Sequence, residues 1–97
     1  GEEIRKTDLL ARFGGDEFVI LMPETKLSDA IGASERIRAH AELGLARQGK
    51  AITISCGVAE WSSEECKTPI DLVRRADAAL YQAKRAGRNR VETMTAE

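Results

Sequence analysis

The stretch "ARFGGDEFVILMP", residues 11–23, places two glycines and two adjacent carboxylates between segments that are almost wholly apolar. Residues 9–13 and 18–22 are rich in aromatic and branched side chains, which are typical of strands. The short Gly-Gly-Asp-Glu connection between them predicts a β-hairpin, and Pro23 predicts the end of its second strand.

The second strand of this hairpin is apolar on both sides. Alternation places Phe18, Ile20 and Met22 on one face, and Val19 and Leu21 on the other. A strand that is apolar on both faces is typical of a sheet covered by helices on each side. We therefore expect it to be a central strand.

The rest of the chain predicts two helices and two further strands. Apolar residues recur at helical spacing from Ser28 to about Leu43, with Ser28 or Asp29 as candidate caps and Gly44 as the expected stop. Residues 51–59 alternate as a strand does. "TPID", residues 68–71, predicts the start of a helix that runs to Ala86 and stops at Gly87, followed by a short strand over about residues 90–93. The predicted order is β-β-α-β-α-β, an α/β fold with a mixed sheet flanked by helices.

Composition excludes several classes of function. Ninety-seven residues with 42% hydrophobic content form one globular domain or part of one. Fifteen basic and sixteen acidic residues leave a net charge of −1, so we expect no nucleic-acid partner. The longest apolar run, residues 18–22, is too short to span a membrane, so no membrane contact is expected from this segment.

Cysteine and histidine content also limits the chemistry. Cys56 and Cys66 lack CxxC spacing, which favours reduced thiols and a cytoplasmic location, although an anchor elsewhere in the full protein is compatible with this. His40 is the single histidine, so a histidine-centred catalytic triad or a multi-histidine metal site cannot be built within one chain.

The acidic hairpin turn has two interpretations. Glycines permit unusual backbone angles and leave room for a ligand to approach the backbone. Asp16 and Glu17 beside them offer the hard oxygen ligands that a magnesium ion bridging phosphates prefers. The alternative is a solvated turn, because Gly and Asp are common in hairpins.

Several motifs together resemble one known family. Gly14 to Phe18, preceded by Arg12, resembles the signature of GGDEF domains, the diguanylate cyclases that condense two GTP molecules into cyclic di-GMP. "RKTD", residues 5–8, stands at the spacing of the family's RxxD inhibitory site. "TISCGVA" from Thr53 is similar to the penultimate strand, and "RADAALYQAKRAGRNRV", residues 75–91, is similar to the closing helix and turn.

The resemblance implies a fold of the nucleotidyl-cyclase or polymerase-palm type and covers the whole chain. Residues 1–97 resemble the C-terminal part of a single GGDEF domain. The family's first strand, with a metal-binding aspartate, and the helices that read guanine have no counterpart here. We therefore expect the 97-residue fragment alone to be inactive.

The resemblance also implies a catalytic site. Asp16 corresponds to a ligand of Mg²⁺ (or Mn²⁺) and is the candidate proton acceptor, and Glu17 supports it. Gly14 and Gly15 let the backbone approach GTP. Because each domain holds one GTP, catalysis by the family requires a homodimer.

Two cations near the end of the last predicted helix are candidates for binding phosphate. Lys84 and Arg88 are four positions apart, which places them on one helical face. Cations at a helix C-terminus are favourable without any ligand, so the spacing alone leaves both roles open. The resemblance favours binding of the GTP triphosphate.

A second candidate site would bind the product. Arg5 and Asp8 correspond to the inhibitory motif, and Arg36 resembles an arginine that some members contribute from a second domain. An isolated RxxD is otherwise a surface ion pair. The leading hypothesis is a product-inhibited diguanylate cyclase. The alternative is a catalytically silent domain that acts as a cyclic di-GMP receptor.

Overall fold

The computed structural model describes residues 7–14, 17–49 and 53–95. The predicted order β-β-α-β-α-β is confirmed. Its elements are β1 (Leu9–Phe13), β2 (Phe18–Met22), α1 (Leu27–Arg47), β3 (Cys56–Glu60), α2 (Pro69–Arg85) and β4 (Val91–Met94).

The strands form a mixed sheet in the order β2-β1-β3-β4. β1 is antiparallel to both β2 and β3, whereas β3 and β4 are parallel. The hairpin register pairs Phe13 with Phe18, so the connecting turn lies directly beyond these two residues. The predicted mixed sheet flanked by helices is therefore confirmed.

In the described part of the chain, each face of the sheet is covered by one helix. On one face, Leu9, Ala11 and Phe13 of β1 pack with β3 and with Ala30 of α1. On the other, Leu10 of β1 packs with Leu72 and other residues of α2. Alternation along β1 thus sends successive side chains into two separate apolar layers, and both layers exclude water.

The prediction that β2 is a central strand is wrong for the described part of the chain. Among the described residues β2 pairs only with β1, and Phe18 and Val19 are 40% and 46% exposed. Ile20 and Leu21 do pack against opposite layers, so the alternation was predicted correctly. An apolar strand becomes central only if a second strand pairs with it, and that pairing cannot be derived from its own sequence.

Helix α1 extends beyond its predicted end. It begins at Leu27 with Lys26 at the N-cap, so the prediction of Ser28 or Asp29 as the cap is wrong, and it continues through Gly44 to Arg47. A glycine inside a helix costs about 1 kcal/mol relative to alanine, which the good helix formers Leu45 and Ala46 can offset. The chain leaves the helix at Gln48 and Gly49, where φ is +76° at the glycine.

Strand β3 is shorter than predicted. Of the predicted residues 51–59, Ala51 and Ile52 lie outside the described residues and residues 53–55 have no regular structure. Cys56 and Val58 face the α1 layer, as the alternation predicts. Burial raises the pKa of the Cys56 thiol to about 12, which keeps it protonated and unreactive.

The start and end of α2 agree with the sequence. Backbone N–H groups of Lys67 and Thr68 donate to the Asp71 carboxylate at 2.7 and 3.0 Å and hold the pKa of that group below its usual range. Ala86 is the C-cap, and Gly87 follows with a φ of +122°.

Gly57 is the point of closest approach between α2 and the sheet. A Cβ atom at this position would lie 2.1 Å from the backbone nitrogen of Leu80 and 2.4 Å from the carbonyl oxygen of Ala76. Neither backbone atom can move without displacing the helix. The helix can therefore occupy its observed position only because residue 57 has no side chain.

We predict that Gly57→Ala lowers the free energy of unfolding by about 2–3 kcal/mol, because it forces α2 away from β3. Gly44→Ala is the matched control, since a Cβ there has no neighbour within 4 Å. That change should raise stability by about 0.5–1 kcal/mol. Urea titration of both variants measures the difference, and equal effects would contradict the packing argument.

Candidate functional site

The strand ends that flank the hairpin turn are held by two contacts. The Gly14 N–H donates to the carbonyl oxygen of Ser55 at 2.9 Å, which ties the end of β1 to the segment before β3. The rings of Phe13 and Phe18 stack with their centroids 4.8 Å apart. Gly15 and Asp16, both predicted site residues, lie outside the described residues. Glu17 follows with a φ of +53° and is exposed.

Lys84 of α2 crosses the start of this turn. A Cβ atom at Gly14 would lie 3.1 Å from Cε and 3.6 Å from Nζ of Lys84. The missing side chain at Gly14 therefore makes room for the lysine. The sequence predicted both residues as parts of one site, and the structure brings them together.

Arg12 joins the hairpin to α2 through a second contact. Its Nε lies 2.8 Å from Oδ1 of Asp77, and its Nη2 lies 4.0 Å from Oε1 of Glu17. Asp77 was not predicted as a site residue, because a pair that joins a strand to a distant helix has no local sequence signal. Partly exposed pairs of this kind contribute about 1 kcal/mol or less, so their main effect here is to orient side chains.

These residues surround a small open cavity. Its volume is about 240 Å³, and it is lined by Arg12, Glu17, Asp77, Leu80, Tyr81 and Lys84. Pockets that bury a whole small ligand measure roughly 300–1,000 Å³. The cavity therefore suits a part of a ligand, such as a phosphate group near the Lys84 ammonium, better than a complete nucleotide.

Tyr81 lies at the edge of this cavity. Its side chain is exposed, and its hydroxyl accepts a hydrogen bond of 3.3 Å from Nη1 of Arg85, one helical turn away. The Arg85 guanidinium carbon also lies 5.7 Å from the centre of the tyrosine ring. These contacts keep the two side chains on the surface of α2, at one side of Lys84.

The prediction that Lys84 and Arg88 share one helical face is wrong. Helix α2 ends at Arg85, so Arg88 does not lie on the same helical face as Lys84. Arg88 follows Gly87 with a φ of +64°, is exposed, and donates its N–H to the carbonyl of Ala83 at 2.8 Å. This bond closes a Schellman-type helix end, which the glycine induces one residue before Arg88.

The residues of the predicted product site are described only in part. Arg5 lies outside the described residues. Asp8 is buried, and its Oδ1 accepts a hydrogen bond of 3.1 Å from the backbone N–H of Glu24, which has a φ of +47°. Arg36 is exposed on α1. Asp8 thus helps to hold the turn that follows β2.

The described residues do not by themselves form a metal site. Within 7–14, 17–49 and 53–95, no three side chains of the metal-ligating types lie together. Glu17 is the described carboxylate at the turn, and the adjacent Asp16 would add a second set of oxygen donors. No helix in the described part of the chain has the length and apolar character needed to cross a membrane.

Comparison with known proteins gives consistent matches. The family described as diguanylate cyclase, GGDEF domain, matches residues 1–90. The response regulator PleD of Caulobacter vibrioides is 44% identical over 93 residues, which cover 91% of this chain and 20% of PleD. The diguanylate cyclase DgcP of Pseudomonas aeruginosa is 40% identical over 92 residues, which cover 94% of this chain and 14% of DgcP.

A solved structure shares the fold. It is the GGDEF domain of DgcB from Caulobacter crescentus in complex with c-di-GMP, which matches with a TM-score of 0.69 at 23% identity. The match covers 89% of this chain and 74% of that domain. The chain therefore spans most of the solved domain, but only about a fifth or less of the curated relatives above.

The contact between Gly14 and Lys84 leads to a prediction that separates stability from site geometry. In Gly14→Ala the new methyl group meets the flexible end of a side chain, so the free energy of unfolding should change by less than about 1 kcal/mol. The Lys84 ammonium should nevertheless move. The NMR signal of its Cε–H group should shift in Gly14→Ala and stay unchanged in Gly44→Ala. An unchanged signal in Gly14→Ala would contradict the contact.

Proposed function

This chain belongs to the diguanylate cyclase GGDEF family, and we propose that it forms part of a domain that condenses two GTP molecules into cyclic di-GMP and two pyrophosphates. In each step the 3′-hydroxyl of one GTP attacks the α-phosphorus of the other, and the bond to pyrophosphate breaks. The observation that carries the proposal is the position of the Lys84 side chain across Gly14, at the start of the hairpin turn whose sequence contains the complete GGDEF motif.

The acidic turn has the chemistry to serve the reacting groups. Asp16 is the proposed acceptor for the hydroxyl proton, and Glu17 is its neighbour at the turn. Their carboxylates suit Mg²⁺ (or Mn²⁺), with Asp16 as the proposed ligand. When bound, such an ion neutralises phosphate charge and lowers the barrier to attack.

Cations of the chain would hold the triphosphate. Lys84 lies at the turn, and its charge favours an anion there. Arg88 presents a second cation just after α2. Nε of Arg12 pairs with Oδ1 of Asp77 at 2.8 Å, so we propose that Arg12 orients the turn and does not bind phosphate.

The substrate arrangement requires two domains. Each domain holds one GTP, so the attacking hydroxyl and the α-phosphate come from nucleotides on different chains. Holding both in line converts an encounter between two molecules into a reaction within one complex, which can supply a large part of the rate enhancement. We therefore propose a homodimer as the active form.

We further propose that residues 1–97 are the C-terminal part of a single GGDEF domain and that this portion alone makes little product. The partial coverage of the solved DgcB domain supports this, as does the half-exposed apolar edge of β2. A further strand along β2 would bury Phe18 and Val19. The metal-binding aspartate and the guanine-binding residues of the family would belong to that further part.

Product would bind at Arg5, Asp8 and Arg36. An arginine fork suits phosphate or a guanine edge, while the buried Asp8, which accepts from the Glu24 N–H, would hold the turn beside the ligand. The cyclic di-GMP in the DgcB structure supports binding of this ligand by the fold. A catalytically silent receptor for cyclic di-GMP would keep these residues as well. Measuring whether the full-length protein synthesises cyclic di-GMP distinguishes the enzyme from the receptor.

We predict that Asp16→Asn in the full-length protein lowers the rate of cyclic di-GMP synthesis by at least about 100-fold, because it removes the proton acceptor and a metal ligand. Binding of cyclic di-GMP should survive. Asp29→Asn, a change at an exposed residue in the first turn of α1, is the matched control. Loss of both synthesis and binding in a folded Asp16→Asn variant would argue against separate sites.

We predict that Arg5→Ala relieves product inhibition and raises the cyclic di-GMP concentration for half-inhibition by about tenfold or more, because an arginine fork to an anion is lost. Initial rates at increasing cyclic di-GMP measure the change. Arg47→Ala, at an exposed residue in the last turn of α1, should leave the curve unchanged. If Arg5→Ala gives the same curve as the wild type, the RxxD assignment is wrong.

A further inference from the structure

The turn after α2 has an unusual backbone. Gly87, Arg88 and Asn89 have successive φ values of +122°, +64° and +48°. Glycine adopts such angles easily and asparagine tolerates them, but a left-handed arginine is uncommon and carries strain. Residues in sparsely populated conformations persist only where surrounding contacts hold them. The bond from the Arg88 N–H to the Ala83 carbonyl ties this turn to α2, and further contacts hold it from outside the helix.

The side chain of Asn89 provides that anchor by contacting α1. Its Nδ2 donates to Oε2 of Glu42 at 2.9 Å, and its Oδ1 accepts a hydrogen bond from Nη1 of Arg38. A guanidinium only donates and a carboxylate only accepts, so these partners determine the orientation of the amide. Aspartate could not donate to Glu42, and a lysine or an apolar residue could not make both contacts.

Arg38 is itself held in place. It contacts the carboxylate of Glu35, and its Nη1 lies 3.4 Å from Oε1 of Glu42. The hydrogen bonds that Arg38 donates to the Glu35 carboxylate raise the pKa of Arg38, so the guanidinium stays charged. Its side chain is 14% exposed, which reduces screening of these contacts by water. The anchor is therefore a charged cluster on α1 rather than a single contact.

The same turn is tied to the hairpin tip through Ser55. The Asn89 N–H donates to Oγ of Ser55 at 3.2 Å, while the Ser55 carbonyl accepts from Gly14 N–H at 2.9 Å. One residue thus joins the turn that carries Arg88 to the turn that carries the acidic motif. The position of Arg88 relative to Gly14 depends on this connection.

We infer that Asn89 is a positioning residue for the triphosphate: its amide, bound between Arg38 and Glu42, fixes the left-handed backbone from which Arg88 binds phosphate. The inference rests on the proposed function, because it assigns phosphate binding to Arg88. It adds to that function that α1, which lies outside the site, must hold the phosphate-binding turn in place.

The test uses the full-length protein and the steady-state kinetics of cyclic di-GMP synthesis. Asn89→Gly keeps the left-handed backbone accessible and removes only the amide. It should raise KM for GTP by about tenfold, the size expected when a charge-assisted hydrogen-bonded contact is lost, and change kcat by less than about threefold. A merely structural role would instead lower kcat through a smaller active fraction and leave KM unchanged.

A double variant tests whether Asn89 acts through Arg88. Arg88→Ala alone should raise KM by about tenfold or more, because a phosphate contact is lost. In the Arg88→Ala variant, the added Asn89→Gly change should raise KM by less than about a further twofold, because the effects of two residues that act through one contact are not additive. A full additional increase would overturn the inference.

Two further variants provide a second test of the Asn89 contact and a control in the same loop. Glu42→Ala removes one partner of the amide at a partly exposed position, and it should raise KM by about threefold even if Asn89→Gly fails to fold. Arg90→Ala is the control in the same loop, because that side chain pairs with Glu92 at 3.6 Å, outside the cluster. It should leave KM unchanged.

The outcomes separate the inference from its premise. If Arg88→Ala leaves KM unchanged, the phosphate role proposed for Arg88 is wrong. If Arg88→Ala raises KM but neither Asn89→Gly nor Glu42→Ala does, the positioning role of Asn89 is wrong and the proposed function stands. Similar KM increases in Arg90→Ala and Asn89→Gly would also overturn the positioning role.

Discussion

The close contact between α2 and the backbone of β3 at Gly57 determines the geometry of the candidate site. At this point helix atoms occupy the space that any side chain on residue 57 would need. The face of α2 toward the sheet is correspondingly lined by small residues, and Ala76, Ala79 and Ala83 are fully buried. A helix that lies this close to the sheet carries its polar side chains close to the strand ends as well.

Two polar contacts follow from that position of α2. Lys84 reaches across Gly14, and Asp77 reaches Arg12. Both depend on the distance between the helix and the hairpin, because larger residues between α2 and the sheet would move these two side chains away from their partners. Residues with no side chain are therefore required twice, at Gly57 for packing and at Gly14 for the lysine. The first glycine brings the helix near, and the second leaves space for the cation.

The elements of this fold were predicted well where the signal is local. Strands β1 and β2 and the start of α2 follow from alternation and from helix-start residues within a few positions of each other. The end of α1 was not predicted, because Gly44 has an unfavourable helix propensity that the next turn offsets. The edge position of β2 depends on which strands pair with it, and its own sequence does not contain that information.

For the candidate site, too, local signals were predicted from the sequence and long-range contacts were not. The resemblance identified the hairpin residues and the two cations, but spacing placed Arg88 on the helix, whereas Gly87 ends the helix before it. Asp77 and Asn89 were missed, because their partners lie far away in the sequence: Arg12 for the first, and Arg38 and Glu42 for the second. Contacts of this kind have no periodicity that a sequence could reveal.

The two cations are held by different physical means. Lys84 lies on a regular helix that buried alanines hold in place, so its position follows from packing. Arg88 is exposed on a left-handed turn whose described contacts are polar: hydrogen bonds to Ala83 and Ser55, and those of Asn89 with α1. Apolar packing does not depend on ionic strength, whereas the half-exposed carboxylates of Glu35 and Glu42 leave the cluster around the largely buried Arg38 partly open to screening by salt. The position of Arg88 is therefore the more sensitive of the two to its surroundings, and it depends on α1, an element that lies on the opposite face of the sheet from α2.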